Sequence, residues 1–183
     1  MNKISLLFWC ALLAPWMAGA QHQTSSPYAG QHLRSLKALS PAEIQGYREG
    51  HGMGLAKAAE LNHYPGPKHV LELARQLGLS ATQLAQAQRA YDHMHARAVR
   101  LGAMILASDQ ALDSLFATQT ITAQQLHALV TGIATLQGEL RLAHLQAHVE
   151  IRKILTAAQV TKYDELRGYA PAVPPPPAHR HQD

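Results

Sequence analysis

From Ser80 onward the hydrophobic positions fall into two long heptad series. Leu84, Tyr91, Ala98, Ile105 and Leu112 stand seven residues apart. Ala87, Met94, Leu101 and Leu115 occupy positions three further on, with Ser108 breaking the row. A second series follows Thr122: Leu126, Ile133, Leu140, Ala147 and Ile154, interleaved with Leu129, Leu136 and Ala143. Such spacing lays one apolar seam along a helix, as in a coiled coil. The connection around 117–120 is short and polar, which predicts two long helices packed as antiparallel neighbours. Strand-type alternation occurs nowhere, so the fold class read from the pattern is all-α.

Four related phrases mark where helices begin: LSPAE at 39–43, LSATQ at 79–83, ITAQQ at 121–125 and LTAAQ at 155–159. Each has Ser or Thr followed three residues later by Glu or Gln, in the pairs Ser40/Glu43, Ser80/Gln83, Thr122/Gln125 and Thr156/Gln159. This is the capping-box pattern, in which the hydroxyl accepts from the N3 amide and the N3 side chain reaches back to the cap amide. The apolar residue before each cap sits where a hydrophobic staple packs. Pro41 follows its cap at the first helical position, where the missing N–H costs nothing.

The N-terminal third breaks into smaller pieces. A helix is expected from Ser40 toward Glu49, then the glycine-rich GHGMG leading into a helical run, then the turn HYPGPKH at 63–69. A short helix over 68–77 is predicted to end at Gly78, a favourable residue beyond a helix C-terminus. The last helix runs from Thr156 to about Arg167, and PAVPPPPAHRHQD beyond it has the composition of a polyproline-type tail. At the other end, Lys3, the 14-residue apolar run ISLLFWCALLAPWM and Ala18-Gly19-Ala20 make a secretory signal peptide cleaved after Ala20. The expected organisation is a signal peptide at 1–20, a flexible N-terminal segment at 21–38, a helical domain at 39–169 and a disordered Pro/His-rich tail at 170–183.

Cys10, the single cysteine, lies inside the leader, so the mature chain has no disulfide, thiolate metal ligand or cysteine nucleophile. Losing Lys3 leaves 15 Lys and Arg against 12 Asp and Glu, a net charge of +3 that is too small and too spread to mark a nucleic-acid partner. No segment of the mature chain reads as a transmembrane span. No HExxH, GxSxG or phosphate-cradling loop is present, and the apolar long helices offer no nucleophile–base pair, so no catalytic residues are assigned. The unusual feature is histidine: all 12 lie after residue 20. Histidine changes both charge and metal affinity near neutral pH.

The LTxxQ-like phrases in a small, exported, all-helical chain resemble the Spy/CpxP family of periplasmic chaperones, envelope-stress regulators and related heavy-metal sensors. The likeness covers about 28–170, is strongest at LSATQ and at LTAAQ with its following YDELRGY, and extends to MGLAKAAELNHYPGPKHVLEL at 53–73. It implies a periplasmic protein without enzymatic activity or ATP, built as a bent antiparallel hairpin with shorter flanking helices that dimerises into a cradle. In the chaperone branch a concave basic and apolar face holds unfolded or misfolded periplasmic proteins; Arg89, Arg97, Arg100, Arg141, Arg152 and Lys153 are the basic residues available to frame it. A sensor domain of a signalling system is a further partner implied by the family. In the sensor branch His, Glu and Met side chains bind zinc, nickel, cobalt or copper. The leading expectation is an ATP-independent chaperone or stress accessory that requires no cofactor; the alternative is a heavy-metal sensor or resistance protein.

For the alternative, His144 and His148 are four apart, which puts both imidazoles on one helix face a turn apart, where they can chelate an ion or simply be solvated or packed. The resemblance adds His69 and Glu72 on the short helix before LSATQ. His93 and His95 are two apart and diverge on a helix. His51 and Met53 in the glycine-rich break suit a soft ion such as copper, and His179 and His181 sit in the tail.

Overall fold

The computed structural model describes residues 26–169, so the leader, the start of the N-terminal segment and the His-bearing tail lie outside the described residues. After a 3-10 turn at Gln31–Leu33 come six helices: α1 (Pro41–Arg48), α2 (Lys57–Glu60), α3 (Pro67–Glu72), α4 (Ala81–Ala117), α5 (Ala123–Ile154) and α6 (Ala157–Arg167). The fold is all-α, with α4 and α5 packed antiparallel as a hairpin and the shorter helices flanking it. All four capping boxes form in full, at Ser40, Ser80, Thr122 and Thr156.

Two of the phrases also bind each other. Gln83 Nε2 donates to Gln159 Oε1 at 2.8 Å, and Gln159 Nε2 returns a bond to Gln83 Oε1 at 3.1 Å. Gln83 Nε2 also reaches the Ile154 carbonyl at 3.0 Å, so the start of α4 is tied to the α5–α6 junction.

The heptad series describe the seam well in its middle. On α4 the buried positions are Ala87, Ala90, Met94, Ala98, Leu101, Gly102 and Ile105, and on α5 they run from Ile133 through Leu140, Ala143 and Ala147 to Ile151. Leu84 and Leu126, which begin the two series, stay exposed. The stripe on α5 also contains His144 and His148. At the base, Val70, Leu77, Ala87, Ala90, Ile151, Leu155, Val160 and Tyr163 form one apolar cluster that gathers α3, α4, α5 and α6. Each fully buried large side chain there, such as Ile151 or Val70, contributes roughly 1.5–3 kcal/mol.

A second cluster, Ala98, Leu101, Ile105 and Leu140, lies further along the hairpin, capped by Tyr47 of α1 and by Leu55. There α1 crosses α4 so closely that a Cβ on Gly102 would lie 2.0 Å from the Tyr47 carbonyl oxygen. Gly102 therefore sets the approach of the two helices, despite the propensity cost of glycine inside a helix.

Two expected helices are shorter than the sequence suggests. In 50–62 only Lys57–Glu60 is helical, because turns with positive φ at Gly50, Met53 and Gly54 precede it. The helix expected over 68–77 stops at Glu72, and the chain continues in tighter turns, with the Ala74 amide bonded to the Leu71 carbonyl, before Gly78 reverses it. The result is a strap, 49–66, laid across one side of the hairpin. Among the described residues no helix is long and apolar enough to cross a membrane.

Candidate functional site

The strap roofs a cleft of about 700 Å³ between itself and the two long helices. Its walls carry His144 and His148 from α5, Tyr91, Met94 and His95 from α4, His51 and Glu60 from the strap, and His69 from α3. Cavities of this size hold small ligands.

His144 and His148 are only 3% and 8% exposed. Both belong to the buried stripe of α5, so the i, i+4 spacing places them one turn apart in the cleft wall and not on a solvated flank. The His148 Nδ1 lies 2.7 Å from the Tyr64 carbonyl oxygen. A carbonyl only accepts, so Nδ1 carries a proton and donates to it. A ligating histidine is oriented in just this way, by a backbone carbonyl on its other nitrogen. His144 Nε2 is buried without a hydrogen-bond partner. Burial, then the neighbouring His148 and His95, hold its pKa below the ordinary histidine value. The ring is therefore neutral near pH 7, the form that can bind a cation.

Glu60, the last residue of α2, is the hub of the polar contacts in the cleft. Its Oε1 accepts from the Tyr163 hydroxyl at 2.5 Å and from the Tyr169 hydroxyl at 3.3 Å. The same oxygen lies 3.4 Å from Arg167 Nε and 3.5 Å from His69 Nδ1. Burial, then the bond to Glu60, push the Tyr163 hydroxyl far above its usual pKa, so it stays a donor. Glu60 Oε2 is buried with no hydrogen-bond partner, 3.7 Å from His148 Nδ1. Gly66 lets these groups meet: a Cβ there would stand 3.1 Å from His148 Nε2 and 3.3 Å from Glu60 Oε2.

The strap is pinned at both ends by imidazoles. His95 Nε2 donates to the Glu49 carbonyl at 3.0 Å, and its ring stacks on Tyr91. His63, held at a left-handed φ of 65°, bonds Asp164 Oδ2 at 2.8 Å. That backbone conformation costs a non-glycine residue roughly 1–2 kcal/mol.

Of the expected ligands, His69 joins the cleft, where burial and then Arg167 lower its pKa against the opposing pull of Glu60 and Glu72. Glu72, in the same helix, is exposed and does not line the cleft. The acidic residues that do line the cleft are Glu60 and Glu49 of the strap, and nothing in the spacing of histidines singles either out. Among the described residues no three His, Cys, Asp or Glu side chains already stand close enough to hold an ion as a complete set.

The opposite side of the hairpin is open. A groove of about 520 Å³ there is lined only by α4 and α5, including Ala90, Met94, Leu142 and Val149, with His93, Arg97 and Lys153 at its edges. Arg97 pairs with Glu139 and donates to Gln146 Oε1 at 2.9 Å. Arg89, Arg100 and Arg141 are exposed, whereas Arg152 is half-buried.

Comparison with models of known families, with curated proteins and with solved structures found no match.

Proposed function

We propose that this is an exported metal-binding sensor or resistance protein, with the roofed cleft as its site for a zinc, nickel, cobalt or copper ion. His144 and His148 supply imidazole nitrogens and Glu60 supplies a carboxylate oxygen, a donor set suited to borderline divalent ions. One observation carries the reading: two buried imidazoles line a cleft beside a buried carboxylate, and two of the polar atoms, His144 Nε2 and Glu60 Oε2, have no partner within the protein. A buried polar atom without a partner is costly, and a ligand that occupies it recovers that cost. Met94 offers a thioether in the same wall for a softer ion. The role is binding and signalling, not catalysis.

The test is equilibrium dialysis of the chain 21–183 against each ion. The parent should bind one equivalent, and His144→Ala, His148→Ala and Glu60→Gln should each lose tenfold or more, in the range that second-shell and ligand losses produce. A His179→Ala/His181→Ala chain should keep the affinity. Binding that vanishes only in that tail variant, or no binding at all, overturns the reading.

A second reading is supported by the open groove on the other face. We infer that its apolar floor and its mixed charged edge, with Glu150 as well as Lys153 and a paired Arg97, hold unfolded clients shallowly and reversibly, with two hairpins pairing into a bent cradle. Exposed Leu142 and Val149 beside Lys153 are the surface such contact needs. Light scattering of a denatured client under chelator tests it. Suppressed aggregation that Leu142→Ser/Val149→Ser abolishes supports the reading, and no suppression sinks it.

A further inference from the structure

We propose that residues 51–54 of the strap form a flap that gates the buried His144 ring, swinging between Gly50 and Gly54 and keyed shut by Met53 in a notch left by Gly46. The inference stands apart from the metal reading, since it concerns how a solute reaches that ring and not what binds there.

Residues 51–54 are all exposed, whereas Gly50 and Ala56 on either side are buried. Gly50 is pressed on α4, where an added Cβ would lie 3.0 Å from the Val99 side chain and 3.2 Å from that of Ala98. On the other side Leu55 packs on the second apolar cluster. Between these anchors the backbone takes a positive φ three times, at Gly50, Met53 and Gly54. Nothing stands within 4 Å of where a Cβ on Gly54 would be, so the chain can turn there without meeting the rest of the fold. A segment with few buried contacts and a permissive backbone opens locally, ahead of its surroundings.

The closure is specific. Met53 sits at a φ of 42°, a strained value for a residue with a side chain. Its thioether occupies the space that a side chain on Gly46 of α1 would fill: a Cβ there would overlap Sδ and stand 2.9 Å from Cγ. The Gly46 carbonyl also accepts from the His51 amide at 2.9 Å. Strain at Met53 is thus held in place by one fitted contact, the arrangement found in segments with two states. Beneath lies His144. A Cβ on Gly52 would be 3.9 Å from its Nδ1, so the flap covers a ring that is 3% exposed and has no partner for Nε2. His148, one turn on, is held instead by the Tyr64 carbonyl at the far end of the strap. Opening 51–54 therefore bares His144 and leaves His148 covered.

The test is modification by diethyl pyrocarbonate, which acylates unprotonated imidazole, followed residue by residue by peptide mass spectrometry with chelator present throughout. The chain 21–183 contains no cysteine, so Gly46→Cys/Met53→Cys introduces a single bridgeable pair. In the parent, His144 should react more slowly than exposed His127. Met53→Ala keeps the strained backbone and loses the key, so His144 should react about tenfold faster with His148 unchanged, the scale of a lost half-buried methionine contact. Oxidising the cysteine pair should slow His144 below the parent rate, and reduction should restore it. A pair that will not oxidise overturns the notch. An oxidised pair that leaves His144 at the parent rate overturns the flap, because the ring is then reached another way. His144 and His148 speeding up together in Met53→Ala overturns it too, because the cleft then opens as one body.

Discussion

His144 shows how a residue's surroundings convert composition into behaviour. Twelve histidines say only that the chain can respond to protons or metals; burial of one ring without a partner for Nε2 says how. Its pKa is lowered by burial, then by His148 and His95. In the unfolded chain the same ring titrates near about 6.5. Below that pH the unfolded state takes up a proton that the folded state refuses, so stability falls as pH falls through this window. His69, lowered chiefly by burial, works in the same direction. Urea midpoints measured from about pH 8 down to about pH 5 should therefore drop in the parent and drop less steeply in His144→Gln; equal slopes would show that this ring carries none of the acid sensitivity. The i, i+4 spacing of His144 and His148 was legible in the sequence because it depends on helix geometry alone. Glu60 was not, because its significance comes from Tyr163, Arg167 and Tyr169, more than 100 residues further along and brought to it only by the tertiary fold.

At the scale of elements, the capping boxes were the most readable feature, since each is complete within five residues and needs no tertiary partner. Their pairing was invisible. Gln83 and Gln159 each satisfy a cap with Oε1 and still exchange bonds through their amide nitrogens, which a glutamate cannot do. The phrase that opens α1 carries Glu43 instead, and there the carboxylate serves only its own cap at Ser40. Gln125 at the start of α5 carries the same amide yet bonds only its own cap at Thr122, so an amide at N3 permits the pairing and the tertiary fold selects it. Changing Gln83 or Gln159 alone to Glu leaves one amide to donate to the new carboxylate. Changing both sets two carboxylates face to face. A double-mutant cycle on denaturant midpoints should show the pair costing more than the sum of the singles, by roughly 1–3 kcal/mol. Strict additivity would mean the two amides act independently. The strap was the least legible element, because its glycines permit many turns and the contacts that select one, Tyr64 to His148 and His63 to Asp164, span 84 and 101 residues.

The whole molecule divides into a held base and a projecting arm. The base and middle of the hairpin are packed by α1, α3, α6 and the strap, and the last polar tether toward the tip is Lys37 to Asp113 at 2.8 Å. Beyond it, 114–138 contains no Asp, Glu, Lys or Arg, and Phe116, Leu126 and Val130 are exposed. The heptad series continues into this arm with nothing but the partner helix to cover it, and Ile133 is its one buried large side chain among the described residues. Local opening follows the density of buried apolar contacts. Amides of the arm near Ala117 and Ala123 should therefore exchange faster, at high dilution, than those around Ala98 and Ala147, which open only with the whole fold. The expected pairing of hairpins makes a sharper claim. If two copies pack through the uncharged arm, raising the concentration should slow exchange there selectively and leave the base unchanged, because association stabilises only the segments it covers. Protection that is uniform along both helices and indifferent to dilution would place the arm's stability within one chain and remove the physical motive for pairing through it.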